Sequence, residues 1–167
     1  MDDKSLEIIG MHEDINIPKK NISQLRTKTD TGAYNSAIDC CYAEEKEDSE
    51  GDTVLSFTLL NPRHKLYTGK KHITKKYKVK KVRSSNGIET LRFQVKLRIE
   101  LKGETFTTTF NLSDRSKMRY SVLLGRKLLA NRFLVDVSKR RKLNKSRKKM
   151  SSGILLGRPF SAGLSPK

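Results

Sequence analysis

From Leu91 to Leu101, apolar residues occupy every second position. Leu91, Phe93, Val95, Leu97, Ile99 and Leu101 alternate with Arg92, Gln94, Lys96, Arg98 and Glu100. Successive side chains of an extended strand point to opposite faces, so this pattern fits a strand with one face on a core and the other in water. It does not fit a helix, whose apolar stripe recurs every three or four residues. One strand cannot satisfy its own N–H and C=O groups, so the chain must supply partners. Tyr77, Val79 and Val82 lead through Arg83–Ser84–Ser85–Asn86–Gly87 into the alternating run. Asn-Gly at that place predicts a type I′ hairpin turn, because both residues tolerate φ > 0. Lys102–Gly103–Glu104 turns again into a Thr-rich strand, Thr105 to Leu112.

The other segments have the same character. Ile8, Ile9, Ile15 and Ile17 mark an early extended pair closed at Pro18, and Leu25 to Thr29 alternates straight into Asp30–Thr31–Gly32. Ala37 to Tyr42 predicts a short strand and Glu44 to Asp52 an acidic, Gly-containing loop. Thr53 to Leu60 predicts a strand stopped by Asn61–Pro62. Val122 to Gly125 is an apolar run broken by Gly, Arg126 to Asn131 has the composition of one or two helical turns, and Phe133 to Val137 closes the body as a strand. Short strands, tight turns and one short helix predict an all-β fold, a small barrel or sandwich. The 167 residues suffice for one domain with a real core and not for two ordinary ones.

Charge divides the chain. The net charge is +18, which points to a polyanionic partner or an acidic substrate. Ser138 to Lys167 contains ten Lys and Arg and no acid, and eight of those ten lie in Lys139 to Met150. Such a segment buries too little apolar surface to fold alone. The expected organisation is therefore a domain over 1–138 and a basic, disordered tail over 139–167, with residues 139–150 able to hold ribosome, RNA or another polyanion. The N-terminus lacks the pattern of a signal peptide, and no apolar run approaches the length of a transmembrane segment. The expectation is a soluble, cytoplasmic protein. Cys40 and Cys41 are adjacent and are the only cysteines, which excludes an intrachain disulfide framework.

Two motifs carry possible chemistry. Alone, Asp30–Thr31–Gly32–Ala33 also fits a turn in which Asp caps the backbone and Gly takes φ > 0. Some ninety residues later, Leu123–Leu124–Gly125–Arg126 precedes the short helix. As a pair, with a hairpin between them in sequence, they resemble the retropepsin-like aspartic peptidases. The resemblance is closer to the bacterial and archaeal family labelled ATP-dependent zinc proteases and associated with RimK-type ligases. The matching blocks are Lys28 to Ser36, Val82 to Gly87, Met118–Arg119–Tyr120, Val122 to Arg126 and Arg132 to Asp136, within about residues 7–138.

The resemblance implies a closed retropepsin barrel with a hairpin flap. Asp30 would be catalytic, and Thr31, Gly32 and Ala33 would complete its loop. Leu124, Gly125 and Arg126 would cross that loop as its support. Arg83, Ser84, Ser85, Asn86 and Gly87 would form the flap over a peptide substrate, with Arg92 nearby on the return arm to attract acidic groups. Two features depart from related patterns: Tyr34 stands where retroviral members carry a carboxylate that pairs with the residue at Arg126, and Ser121 stands where Pro is common. The zinc label finds no support in the residues. Zinc needs three or four close ligands, and His12, His64, His72, Cys40 and Cys41 do not form such a pattern, so no metal and no cofactor is expected.

One Asp-Thr-Gly per chain has a mechanistic consequence. Aspartic hydrolysis needs one ionised and one protonated carboxyl sharing a site, and a C₂ homodimer supplies the second. Thr31 would then hydrogen-bond across the axis and Gly32 would permit close approach. The expected function is an aspartic peptidase or amide-bond hydrolase acting on a peptide or glutamyl-modified protein. The rival is a catalytically silent module that binds ribosome, RNA or an acidic protein through its basic surface and tail.

Overall fold

A computed structural model describes residues 5–139, so the expectations for residues 140–167 lie outside it. Eleven strands follow one another: β1 (Glu7–Ile9), β2 (His12–Ile17), β3 (Ile22–Thr29), β4 (Ser36–Glu47), β5 (Thr53–Leu59), β6 (His72–Thr74), β7 (Tyr77–Arg83), β8 (Glu89–Leu101), β9 (Glu104–Ser113), β10 (Val122–Leu124) and β11 (Phe133–Val135). A 3₁₀ turn, Pro18–Lys20, follows β2, and a single α-helical turn, α1 (Arg126–Leu129), precedes β11. The described chain is thus mostly β with one very short helix.

Nine strands share one sheet system in the order β10-β3-β2-β8-β9-β4-β5-β6, with β7 on β8. β10 pairs with both β3 and β4, so the sequence of neighbours β10-β3-β2-β8-β9-β4 returns to its start. β4 leaves this set half-way along. Ser36 to Asp39 pair with β9, and Cys40 to Glu47 pair with β5. β1 and β11 form a separate two-stranded parallel sheet.

The alternation that opened the sequence is realised in packing. Val95, Leu97, Ile99 and Leu101 are buried among Ile15, Ile17, Leu25, Ile38, Phe110, Val122 and Leu124, while Lys96 and Arg98 face solvent. Full burial of each such aliphatic side chain is worth roughly 1.5–3 kcal/mol. Leu91 keeps the pattern but is 69% exposed, because β8 runs beyond the body there and pairs only with β7.

Three local expectations change, and the type I′ turn falls at another hairpin. Lys102 and Gly103, with φ of 54° and 79°, join Leu101 to Glu104 and make the type I′ turn. The Asn86–Gly87 hairpin is not of that type: Gly87 has φ 82° and Asn86 is not among the residues with positive φ. The Gly87 N–H donates to the Ser84 carbonyl at 2.9 Å and the Ser84 N–H to that of Ile88 at 2.9 Å. This is a three-residue loop in which a type I turn is followed by a left-handed Gly. Glu44 to Glu47 are strand rather than acidic loop. Ala43 packs on the core, the acidic residues after it are exposed, and the turn is confined to Asp48–Asp52. There the Asp48 Oδ1 accepts from the N–H groups of Glu50 and Asp52 at 2.9 Å each. β6 is an addition that the sequence, with three residues between loops, did not announce.

β6 contributes a buried titratable group. His72 packs against Phe57, and burial pulls its pKa down from 6.5 to about 4, with Lys20 and Lys70 pushing the same way. The folded state therefore holds neutral imidazole while the unfolded chain takes up a proton. Stability from this source is intact above pH 6.5 and is lost as pH falls towards 4. His12 and His64 shift in the same direction. Urea midpoints should fall between these pH values, and His72→Asn should flatten the slope without abolishing it.

Candidate active site

β3 delivers Asp30 to a fixed place. Thr29, the last strand residue, is tied by its N–H to the Met11 carbonyl at 2.8 Å and by its hydroxyl to the Gly10 carbonyl at 2.9 Å. The chain then loops through Asp30–Asn35 and returns as β4. β10 lies between the two arms, parallel to β3 (Leu124 beside Thr29) and antiparallel to β4 (Val122 beside Ile38). β10 is thus hydrogen-bonded to the strands on both sides of the Asp30 loop.

Asp30 is half-buried. Its N–H donates to the Leu124 carbonyl at 2.9 Å. Its Oδ1 accepts from the N–H groups of Gly32 at 3.0 Å and Ala33 at 3.2 Å, which fixes the carboxylate plane and leaves Oδ2 without a bond among the described residues. Thr31 and Gly32 are exposed at the tip. Gly32 does not take positive φ, and a Cβ there would meet only the Asp30 Oδ1, at 3.4 Å. Among the described residues nothing demands glycine at 32.

Gly125 is the reverse case. A Cβ on it would lie 2.5 Å from the Asn35 carbonyl carbon, 2.6 Å from its oxygen and 2.8 Å from the Tyr34 oxygen. The absent side chain lets the two segments touch, and hydrogen bonds close the contact. The Arg126 N–H donates to the Ala33 carbonyl at 2.8 Å, the Lys127 N–H to that of Tyr34 at 2.9 Å, and the Gly125 N–H to the Ser36 Oγ at 3.0 Å. The first N–H groups of a helix have no intrahelical acceptor; here the Asp30 loop supplies them. Arg126, lacking a carboxylate at position 34, places its guanidinium 5.9 Å from the Tyr34 ring centroid. Ser36, inside the matched block but given no role by sequence reasoning, is buried and accepts one of the hydrogen bonds of this closure.

The Arg83–Gly87 group sits at the end of the β7–β8 hairpin. Ser85, Asn86 and Gly87 are exposed at its tip, Ser84 and Asn86 are hydrogen-bonded to each other, and Arg83 pairs loosely with Glu89 at 3.6 Å.

Two residues of consequence carry no motif. Asp39 is completely buried. Its Oδ1 accepts the Arg115 N–H at 2.7 Å and its Oδ2 accepts the Asn61 amide at 2.8 Å, so one carboxylate on β4 ties two loops to that strand. Arg115 is half-buried, with its Nε donating to the Tyr120 carbonyl at 3.0 Å. Burial lowers its pKa; Asp39 raises it, Arg92 lowers it and Asp30 raises it. An isolated Asp or Arg in a single sequence carries no signal for either position. As for metals, His12 stacks on Tyr120 and the His64 Nδ1 accepts the Leu66 N–H. Among the described residues the one acidic cluster with ligand-like spacing is Asp48, Glu50 and Asp52, and the Lys75 ammonium bonds all three at 2.7–3.3 Å.

A β-rich body in which an Asp-Thr-Gly loop is crossed by a hydrophobic-hydrophobic-Gly strand and followed by a short helix defines the retropepsin-like class. The chain belongs to the RimB-like family, described as retropepsin-like aspartic endopeptidase RimB, which matches residues 8–152. That match runs past 138 into the basic segment. Proteins named probable alpha-L-glutamate ligase from Shewanella pealeana and Shewanella halifaxensis are each 30% identical over 135 residues, covering 78% of this chain. The chain spans only 28% of the length of those relatives. The crystal structure of Lpg0085, a protein of unknown function from Legionella pneumophila, is similar with a TM-score of 0.60 and 27% identity, covering 80% of this chain and 95% of that one.

Gly125→Ala should destabilise the protein by about 3 kcal/mol, since the methyl group is forced against backbone that cannot retreat. Thermal or urea unfolding of the purified variant measures it.

Proposed function

We propose that this chain is an aspartic peptidase or amide-bond hydrolase that works as a homodimer, with Asp30 and its symmetry mate as the two carboxyls. The observation that carries the reading is the held Asp30, with one oxygen fixed by two backbone N–H groups and the other without a partner among the described residues. The ionised member of the pair takes a proton from water and the protonated member donates to the substrate carbonyl oxygen. The cyclic order of strand neighbours is read as the closed barrel that supports the loop. The β7–β8 hairpin is read as the flap, with Arg83 to Gly87 meeting substrate and excluding water. The β1–β11 sheet exposes Ile8 and Leu134 side by side, an apolar face suited to a second copy. The relatives named as glutamate ligases favour a glutamyl-modified protein as substrate. Residues 1–138 are read as the domain and 139–167 as the basic tail; Lys139, at the junction, is bonded to Asp136 and to the Ile8 carbonyl.

Asp30→Asn should retain the fold and reduce hydrolysis by about a thousandfold or more. The assay is mass spectrometry of glutamylated proteins and acidic peptides incubated with each form; equal cleavage by both would sink the proposal. Gly32→Ala should leave the melting temperature of the single chain nearly unchanged while abolishing dimerisation and hydrolysis, read by analytical ultracentrifugation and the same assay. A chelator should leave the rate unchanged; loss on chelation with recovery on adding zinc would overturn the aspartic mechanism.

A further inference from the structure

We propose that Arg115 and Arg92 form a carboxylate-binding subsite on the Asp30 face that selects substrate residues with acidic side chains; the substrate role of this face rests on the hydrolase reading above. The placement follows from register. Lys28, Leu123, Ala37, Asn111 and Gln94 are direct neighbours across β3, β10, β4, β9 and β8. Directly opposed residues of adjacent strands share a face, and the face repeats every second residue. Asp30 follows Lys28 at that repeat. In the other direction the repeat reaches Asp39 and Ser113, themselves neighbours, and Arg92 on β8. Gln94 and Asn111 are hydrogen-bonded to each other at 2.6 Å, so the strip between is polar and closed on itself.

Arg115 enters the same region from the loop after β9. Its main chain is pinned by Asp39 and its Nε by Tyr120, which aims the guanidinium. Both Asp39 oxygens are used by Arg115 N–H and Asn61, so this carboxylate positions Arg115 without forming a close ion pair with it. Neither Arg115 nor Arg92 has a carboxylate within salt-bridge distance among the described residues, and Arg92 donates only to the Thr90 hydroxyl at 3.3 Å. After burial and the Asp39 charge, the Arg92 charge disfavours and the Asp30 charge favours the protonated Arg115 guanidinium. Half-buried like charges of this kind are relieved by a shared anion. A carboxylate held by one or two guanidinium forks is a strong, geometrically selective pairing. The buried Ser113 hydroxyl, without a partner among the described residues, lies between the strands that carry Asp39 and Arg92.

The alternative, attraction by net charge alone, makes a different forecast. Fluorescence anisotropy of a fluorescein-labelled tetra-α-glutamate peptide, and of tetraglutamine, is measured with the full chain carrying Asp30→Asn, so that no turnover intervenes. Arg115→Gln and Arg92→Gln should each weaken tetraglutamate binding by about tenfold. Arg98→Gln, about 20 Å further along β8, should change it less than twofold. Arg115→Lys keeps the charge, loses the fork and should recover only part of the affinity. If Arg115→Gln lowers the melting temperature, Arg92→Gln decides, because Arg92 pins no backbone. Equal weakening by all three glutamine substitutions overturns the subsite, as does tetraglutamine bound as tightly as tetraglutamate or no binding of tetraglutamate at all. If the Asp30→Asn chain shows the expected binding pattern while the chain with Asp30 intact cleaves neither tetraglutamate nor a glutamylated protein, the hydrolase reading fails and the subsite stands.

Discussion

The contact between Gly125 and the carbonyls of Tyr34 and Asn35 governs the site. It requires a residue with no side chain, and it is sealed by main-chain hydrogen bonds from Asp30, Arg126 and Lys127. Backbone groups that are buried must be paired, and here the loop and the helix start satisfy each other. The position of the Asp30 carboxylate is a by-product of that pairing. The short helix, four residues long, has too few internal bonds to persist by itself; its first donors are held by the loop it stabilises.

Much of this was legible in the sequence because it rests on residue types with few alternatives. Period-two alternation located β8 and its burial, and Pro18, Asn61–Pro62 and Lys102–Gly103 punctuated the strands where expected. Asp30 to Ala33 and Leu124 to Arg126 do meet, as their motif pairing implied. What was not legible depends on context. Asn-Gly is compatible with two hairpin geometries, and the choice between them is made by strand register rather than by the dipeptide. Acidity misled at Glu44 to Glu47, because this end of β4 is exposed on both faces and tolerates charge on either.

Asp39 and Arg115 show a different limit. Their importance comes from burial and from what converges on them across 76 residues of separation, and neither is encoded in a local pattern. Gly32 illustrates the converse. It belongs to a recognisable motif, yet nothing among the described residues requires it, so its place in the motif is not explained by packing within them.

The insertion of β10 between β3 and β4 also imposes an order of events. The strands that flank Asp30 are made early, whereas the segment that locks them comes some ninety residues later. Closing so long a loop carries an entropic cost that is met only when the late contact forms, and topologies of this kind fold slowly. During synthesis the aspartate therefore emerges unsupported. Its loop acquires a defined shape only after most of the described chain has been translated, which builds a delay between making the residue and making the site.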